Sequence, residues 1–185
     1  MSESDYSNGT IEILGIDPGN STGICVLTVD SYTFDIIKVD SWLIELDVLT
    51  NSKNDIVRLR FLSNIIKRIL KRFNIRIMGV ELAFMNIKFP KAGIKLAQYI
   101  TTIIQTIDQY DKRMPVYTLA PKLVKTSFTK NGTAEKDDML KEIKSRNLDD
   151  ILDIESMSQH EIDAFAVANT VLEYYKRNPL MAVAF

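Results

Sequence analysis

GIDPGNSTG, at residues 15–23, joins two apolar runs near the start of the chain, IEILGID and GICVLTV. Gly19 and Asn20 tolerate positive φ and Pro18 presets its own φ, so this stretch predicts a chain reversal in which the two runs pair as a hairpin. Asp17 has no such local role, because it is a lone carboxylate at the end of an apolar strand. The end of this strand is therefore the first place to look for function.

The rest of the chain predicts a mixed α/β fold. IEILGID, GICVLTV and FDIIKVDSWLIEL predict an antiparallel meander, and IRIMGVE and PVYTLAP predict two further strands. Apolar residues three and four apart predict helices at 55–73 and 91–109, and a short helix from Pro121 and two more helices follow. Ser52 and Asn54 are candidate helix caps, and Arg58 is expected to face water. This order predicts a five-stranded mixed sheet flanked by helices on both faces.

Length and composition predict one domain. With 185 residues, 46 % of them hydrophobic, we expect a single domain at 11–178, a flexible tail at 1–10 and a short tail at 179–185. There is no secretory signal and no apolar run of the roughly 20 residues that a membrane span needs, so we expect a cytoplasmic protein without a membrane partner. The single cysteine, Cys25, excludes an intramolecular disulfide and a cysteine-based zinc site.

Charge is segregated along the chain although the net charge is only −1. Residues 88–136 contain nine basic and three acidic residues, a net charge of +6, which leaves −7 for the remainder. Segregation of this size predicts either one positive face that can bind nucleic acid or a set of solvated helix faces.

Four residues are candidates for chemistry. Asp17 and Glu81 each end an apolar strand, and ligands collect at that edge of open α/β sheets. His160 and Asp163 in HEIDAFAVA are three residues apart, so they share one face of the last helix. Three carboxylates and an imidazole without cysteine favour Mg²⁺ or Mn²⁺ and the hydrolysis of a phosphodiester at a two-metal site.

Each of these side chains at the last helix also has a structural interpretation. His160 alone is typical of a satisfied polar residue at a helix start, and Asp163 alone suits the positive end of the helix dipole. Ser158 followed by Glu161 is a capping-box pattern, which gives Glu161 a structural role. An active site is favoured only if Asp17, Glu81, His160 and Asp163 lie close together in the fold.

Four motifs occur in the order found in one family. GIDPGNSTG, VELAFM, APKLVK with NGTAEK, and HEIDAFAVA resemble RuvC-type Holliday junction resolvases of the RNase H and retroviral-integrase superfamily. The resemblance implies an RNase H-like fold, a homodimer, and paired nicking of four-way DNA junctions with Mg²⁺, for which Mn²⁺ is expected to substitute, at two ions per active site. It maps the metal-binding acids onto Asp17, Glu81 and Asp163, and His160 stands where many relatives have Asp.

The same resemblance implies three DNA-binding residues. Phe84 matches an aromatic side chain that the family places against bases, although a Phe at a strand end also suits a core. Lys125 and Lys136 match DNA-contacting lysines. Lys136 opposes the dipole of the helix that begins near it, which either a bound phosphate or simple solvation would explain. The apolar stripe of the helix at 91–109 is the candidate dimer interface.

Three other functions are compatible with parts of the pattern. GIDPGNSTG also resembles the first phosphate loop of actin and sugar-kinase ATPases, but those enzymes bind nucleotide between two large domains. A non-catalytic junction-binding protein would be expected to lack some of the acids. A relaxed nuclease that cuts forks and flaps as well as junctions remains open.

Overall fold

Five strands form one mixed sheet in the computed structural model, which describes residues 9–82 and 90–178. The strand order is β3-β2-β1-β4-β5. The first three strands pair antiparallel, and β1–β4 and β4–β5 pair parallel, as the sequence predicts. The strands are β1 (Thr10–Asp17), β2 (Ser21–Asp30), β3 (Ile36–Glu45), β4 (Ile75–Glu81) and β5 (Val116–Leu119).

Helices cover both faces of the sheet, which confirms the predicted architecture. They are α1 (Leu46–Thr50), α2 (Asp55–Arg72), α3 (Pro90–Tyr110), α4 (Pro121–Thr129), α5 (Lys136–Lys144) and α6 (Gln159–Arg177), with a 3₁₀ turn at Ile154–Ser156. Helices α4, α5 and α6 share one buried core with the sheet, and α1, α2 and α3 share the other. In the described part of the chain, no helix has the length and hydropathy to cross a membrane.

Alternation along β1 assigns its side chains to the two cores. Ile11 and Ile13 belong to the core under α6, whereas Leu14 and Ile16 belong to the core under α2 and α3. Successive residues of a strand point to opposite faces, so Asp17 continues the set that faces α6. The alternation of β1 therefore places the Asp17 carboxylate at the edge of the sheet, on the face that α6 covers.

Glycines let α6 lie directly on the sheet. A methyl group at Gly15 would overlap the carbonyl of Ala164 and the backbone nitrogen of Ala168, and one at Gly23 would overlap the carbonyl of His160. On β4, the added carbon of a residue at Gly79 would lie 2.7 Å from a methyl of Val171. The absence of side chains at these positions sets the height of α6 above the carboxyl ends of the strands.

The hairpin between β1 and β2 forms as predicted, with Asp17 opposite Gly23, but its turn differs from the prediction. Neither Gly19 nor Asn20 is among the positive-φ residues within 9–82 and 90–178. The buried hydroxyl of Thr22 instead closes the turn, because it donates to the Gly19 carbonyl at 2.6 Å and accepts from the Gly19 N–H at 3.2 Å.

Helix α1 begins at Leu46, the last residue of the predicted third strand. The backbone N–H of Leu46 donates to the carbonyl of Asn20 at 2.9 Å, so the strand stops at Glu45 and the chain turns beside the β1–β2 reversal. The Asn20 side chain then donates to Asp47 at 2.7 Å. The sequence does not predict this helix, because the contact that ends β3 joins two residues that are 26 positions apart along the chain.

Arg58 is buried, contrary to the expectation that it faces water, with an exposed fraction of 5 %. Its Nε donates to the carbonyl of Ser52 at 2.8 Å, and its guanidinium forms ion pairs with Asp47 and Asp55. A buried guanidinium is stable only when its donors are met, and α1 supplies one of the two carboxylates. The Asn54 cap is confirmed, since its side chain accepts from the N–H of Ile56 at 2.9 Å.

Candidate active site

Two carboxylates end neighbouring parallel strands. Ile16 on β1 pairs with Val80 on β4, and the next residues of the two strands are Asp17 and Glu81. Glu81 lies two residues after Gly79, whose missing side chain would meet α6, so its side chain also points to the α6 face. The sheet therefore brings both acids to one edge and one face.

The start of α6 is held by two sets of contacts. Ser158 and Glu161 form the predicted capping box, with Glu161 Oε2 accepting from the Ser158 N–H at 2.9 Å and Ser158 Oγ accepting from the Glu161 N–H at 3.3 Å. The other oxygen of Glu161 accepts from the hydroxyl of Ser41 on β3 at 2.9 Å. Glu161 is thus occupied with fixing the helix start to the sheet.

His160 and Asp17 are in direct contact although they lie 143 residues apart. The distance from His160 Nδ1 to Asp17 Oδ2 is 2.7 Å, with side-chain exposures of 46 % and 16 %. The hydrogen bond to Asp17 raises the pKa of His160, and the negative charges of Asp17 and Asp163 act in the same direction, whereas partial burial and Lys136 oppose them. The imidazole therefore belongs to the same charged cluster as the strand-end carboxylates.

Glu81 and Asp163 share this cluster. Burial, reinforced by the charges of Asp17 and Asp163, raises the pKa of Glu81 to about 8. Burial and the charge of Asp17 also raise the pKa of Asp163, against the hydrogen bond from Gln159 and the positive charges of His160 and Lys125. Three carboxylates thus lie close enough to repel one another, which is a common property of catalytic and metal sites.

The donor set fits a hard divalent cation. Among residues 9–82 and 90–178, no three or more His, Cys, Asp or Glu side chains are already arranged as metal ligands. Carboxylate oxygens nevertheless dominate the set, and they are hard donors suited to a divalent cation. A bound cation would attract all three carboxylates, which otherwise repel one another.

Two lysines flank the acids. Lys125 on α4 is half-buried, and its charge opposes the rise in the pKa of both Glu81 and Asp163. Lys136 is the exposed first residue of α5, and its charge opposes the rise in the pKa of His160. The structure therefore places Lys125 near the predicted acids and Lys136 near His160. The predicted Phe84 lies outside the described residues.

Two contacting residues were missed by sequence reasoning. Gln159 donates from Nε2 to Asp163 Oδ1 at 3.0 Å, and Ser41 bonds Glu161. Gln159 carries a signal that was available, because it precedes Asp163 by four residues on a predicted helix and such pairs meet. Ser41 carries none, since its partner lies 120 residues away.

Glu81→Gln is expected to stabilise the metal-free protein at alkaline pH. A carboxyl whose pKa is higher in the folded than in the unfolded chain holds its proton more tightly when folded, so the free energy of unfolding falls as pH rises from about 4.5 to about 8. Removing the carboxyl abolishes this loss. The free energy of unfolding of Glu81→Gln at pH 8 should therefore exceed that of wild type by about 2 kcal/mol or more, since one pKa unit corresponds to about 1.4 kcal/mol.

Thermal unfolding in EDTA at pH 5 and pH 8 measures this effect. Asp108→Asn, at an exposed site on α3, is the matched acid-to-amide control and should leave the pH dependence of wild type unchanged. The prediction is wrong if wild type and Glu81→Gln lose the same stability between the two pH values.

Comparison with known proteins is in line with this site. A family model described as "Crossover junction endodeoxyribonuclease RuvC" matches residues 13–171. The protein of that name from Ehrlichia chaffeensis is 32 % identical over 161 residues, which cover 85 % of this chain and 94 % of the relative. Its counterpart from Rickettsia felis is 29 % identical over 134 residues, covering 71 % and 80 %.

The fold has a solved counterpart. The Thermus thermophilus RuvC structure in complex with a Holliday junction substrate superposes with a TM-score of 0.70 at 19 % identity, covering 90 % of this chain and 96 % of that one. The sheet order and the flanking helices are thus those of a known fold, and the family match extends from β1 into α6. The chain therefore belongs to the RuvC family of crossover junction endodeoxyribonucleases.

Proposed function

We propose that this protein is a structure-specific endonuclease that resolves four-way DNA junctions by hydrolysing a pair of phosphodiester bonds. One observation carries the proposal: the carboxylates of Asp17, Glu81 and Asp163 share one edge of the sheet with His160. Membership of the RuvC family supports the reaction, and the Holliday junction in the complex of the Thermus thermophilus relative supports the substrate.

The proposed cofactor is a divalent metal, Mg²⁺ with Mn²⁺ as a substitute, at two ions per active site. Asp17, Glu81, Asp163 and His160 would hold it. When bound, such ions supply a hydroxide at neutral pH and stabilise the leaving oxygen of the phosphodiester. The raised pKa of Glu81 supports this assignment, because burial together with the charges of Asp17 and Asp163 raises it, and a cation would relieve both.

The protein's own side chains have separable roles in this proposal. A neutral His160 that donates from Nδ1 to Asp17 orients that carboxylate and keeps the lone pair of its Nε2 available as a ligand. In the metal-free protein, Glu81 holds a proton at neutral pH because its pKa is about 8. Lys125 partly offsets the charge of the acids and is placed to meet a phosphate that approaches them.

Lys125→Gln and Lys136→Gln are each expected to weaken binding of a junction and of plain duplex by a similar factor. A phosphate contact releases counterion whatever the sequence, so each substitution should lower the slope of log K against log salt by roughly 0.9. Fluorescence anisotropy in EDTA at several salt concentrations measures both quantities. Lys67→Gln, exposed on α2 across the sheet, is the control and should leave the slope unchanged. Unchanged slopes in both test variants would assign these lysines to the solvated surface.

We further infer a homodimer, since a four-way junction is nearly two-fold symmetric and two of its strands must be cut. The α3 stripe contributes less to an interface than the sequence suggests, because Ile100 and Ile107 are buried in the chain's own core. The exposed remainder is a groove that includes Leu59 of α2 and Ile94 of α3, the latter 58 % exposed. Sedimentation as a monomer at micromolar concentration, with and without junction DNA, would contradict the dimer.

Cleavage of defined substrates tests the function directly. Purified protein with Mg²⁺ is incubated with a synthetic four-way junction, a fork, a flap and a linear duplex, and the products are separated on a denaturing gel. We expect paired nicks in opposite strands of the junction and little cutting of the duplex. Equal cutting of fork, flap and junction would identify a relaxed branched-DNA nuclease, and junction binding without cutting would identify a non-catalytic binding protein.

A further inference from the structure

Gln159 makes a contact with Asp163 that differs from those of the other acids. It is the first residue of α6, immediately after the Ser158 cap, and its Nε2 donates to Asp163 Oδ1 at 3.0 Å. Asp17 is hydrogen-bonded to the titratable His160, whereas the hydrogen bond to Asp163 comes from a neutral amide. His160 and Lys125 act on Asp163 through their charges.

A neutral donor suits a carboxylate that must bind a cation. Asp163 is largely removed from water and lies beside another acid, and both conditions disfavour its ionised form. A hydrogen bond from an amide stabilises the ionised form without supplying a positive charge. A lysine or arginine at this position would neutralise the carboxylate and compete with the metal, whereas Gln159 leaves the charge available.

The geometry also divides the two oxygens of the carboxylate. The amide of Gln159 donates to Oδ1, which restrains rotation of the carboxylate and so fixes the direction of Oδ2. The cap that precedes Gln159 is itself fixed to β3 through Glu161 and Ser41, so the donor stands on a rigid support. Such support of a ligand by a second residue orients it and tunes its affinity.

We propose that Gln159 is a positioning residue for the metal site, whose amide orients the Asp163 carboxylate and presents Oδ2 to the cation. This inference rests on the proposed function, because it assigns a role toward the metal of that function. The competing interpretation is that the contact is only one of the helix pairs, four residues apart, that stabilise α6. The two interpretations differ in what they predict for metal affinity.

Gln159→Met is the discriminating variant, because methionine keeps the length and helix propensity of glutamine and removes the donor. Mn²⁺ affinity is measured by titration followed with electron paramagnetic resonance. We expect it to fall about tenfold, as is usual when the hydrogen-bond partner of a ligand is lost. We also expect kcat on the junction to fall with KM unchanged, and Tm of the metal-free protein to shift by less than about 2 °C. Gln105→Met, exposed on α3, is the control and should match wild type throughout.

A double-mutant cycle with Asp163→Asn locates the effect. If Gln159 acts through Asp163, Gln159→Met should change Mn²⁺ affinity less than about twofold in the Asp163→Asn background. An equal effect in both backgrounds, or wild-type Mn²⁺ affinity in Gln159→Met alone, overturns the inference and leaves the proposed function intact. Absence of both Mn²⁺ binding and metal-dependent cleavage in wild type overturns the proposed function and the inference with it.

Discussion

Asp17→Asn, Glu81→Gln and Asp163→Asn are each expected to reduce cleavage of a four-way junction by roughly 10³-fold or more, because groups that act as a unit fail together when one is lost. Each substitution keeps the shape of the side chain and removes the charge that a metal requires. Junction binding should persist in all three variants, and it should tighten slightly in Asp17→Asn and Asp163→Asn, since negative charge facing the phosphates is removed there.

Single-turnover cleavage in Mg²⁺ and anisotropy in EDTA separate the two effects. Asp108→Asn controls for the loss of an acid elsewhere in the chain and should cut at the wild-type rate. Near wild-type cleavage by any one of the three variants would remove that residue from the active site. Loss of binding in parallel with cleavage would indicate a folding defect, which the Tm of the same preparation detects.

Gly23→Ala is expected to destabilise the protein by about 2 to 4 kcal/mol and to abolish most cleavage. The added methyl would overlap the carbonyl oxygen and carbon of His160 and would lie 3.1 Å from the backbone nitrogen of Glu161. These are backbone atoms of a capped helix, so they cannot turn aside as a side chain can, and overpacking of this kind costs a few kcal/mol. The start of α6 must lift, which separates His160 from Asp17.

Denaturant unfolding and cleavage of the same preparation measure the two consequences. Gly132→Ala is the control, because its methyl would meet only the side chains of Lys122 and Thr126, which can move. We expect that control to lose less than about 1 kcal/mol. Equal stability of Gly23→Ala and wild type would show that α6 does not depend on this close approach.

The fold was predictable from sequence where the determinants are local. Composition and periodicity located the five strands and the main helices, because a strand's face and a helix's stripe are repeated along the chain. The errors came from contacts between distant residues. Strand β3 ends before Leu46 because the carbonyl of Asn20 accepts the Leu46 N–H. Arg58 is buried because it forms an ion pair with Asp47 on α1, a helix that the sequence does not predict. No local pattern records either partner.

The candidate site was predictable in its members but not in its contacts. Asp17, Glu81, His160 and Asp163 were found from strand ends, helix spacing and a family resemblance, and the structure brings them together. Their catalytic roles remain predictions, as does the DNA-binding role of Phe84. The hydrogen bond between His160 and Asp17 depends on how closely α6 approaches the sheet, and that distance follows from glycines whose effect is visible only in three dimensions.

The ATPase alternative loses its support for a physical reason. The turn after Asp17 is closed by Thr22 and tied to α1 through Asn20 and Asp47, so the Thr22 hydroxyl and the Asn20 amide nitrogen already have partners within the chain. The family match over residues 13–171 also accounts for the whole of the motif without a nucleotide.

The acids of the candidate site come from β1, β4 and α6, elements that are synthesised far apart in time. When Asp17 and Glu81 have been synthesised, the nascent chain still lacks Asp163 and α6, the helix that carries it. The candidate cluster therefore forms only after α6 has docked on the glycines of β1, β2 and β4. On the proposed assignment of the metal ligands, a nascent chain cannot cleave DNA before α6 has been synthesised and has docked.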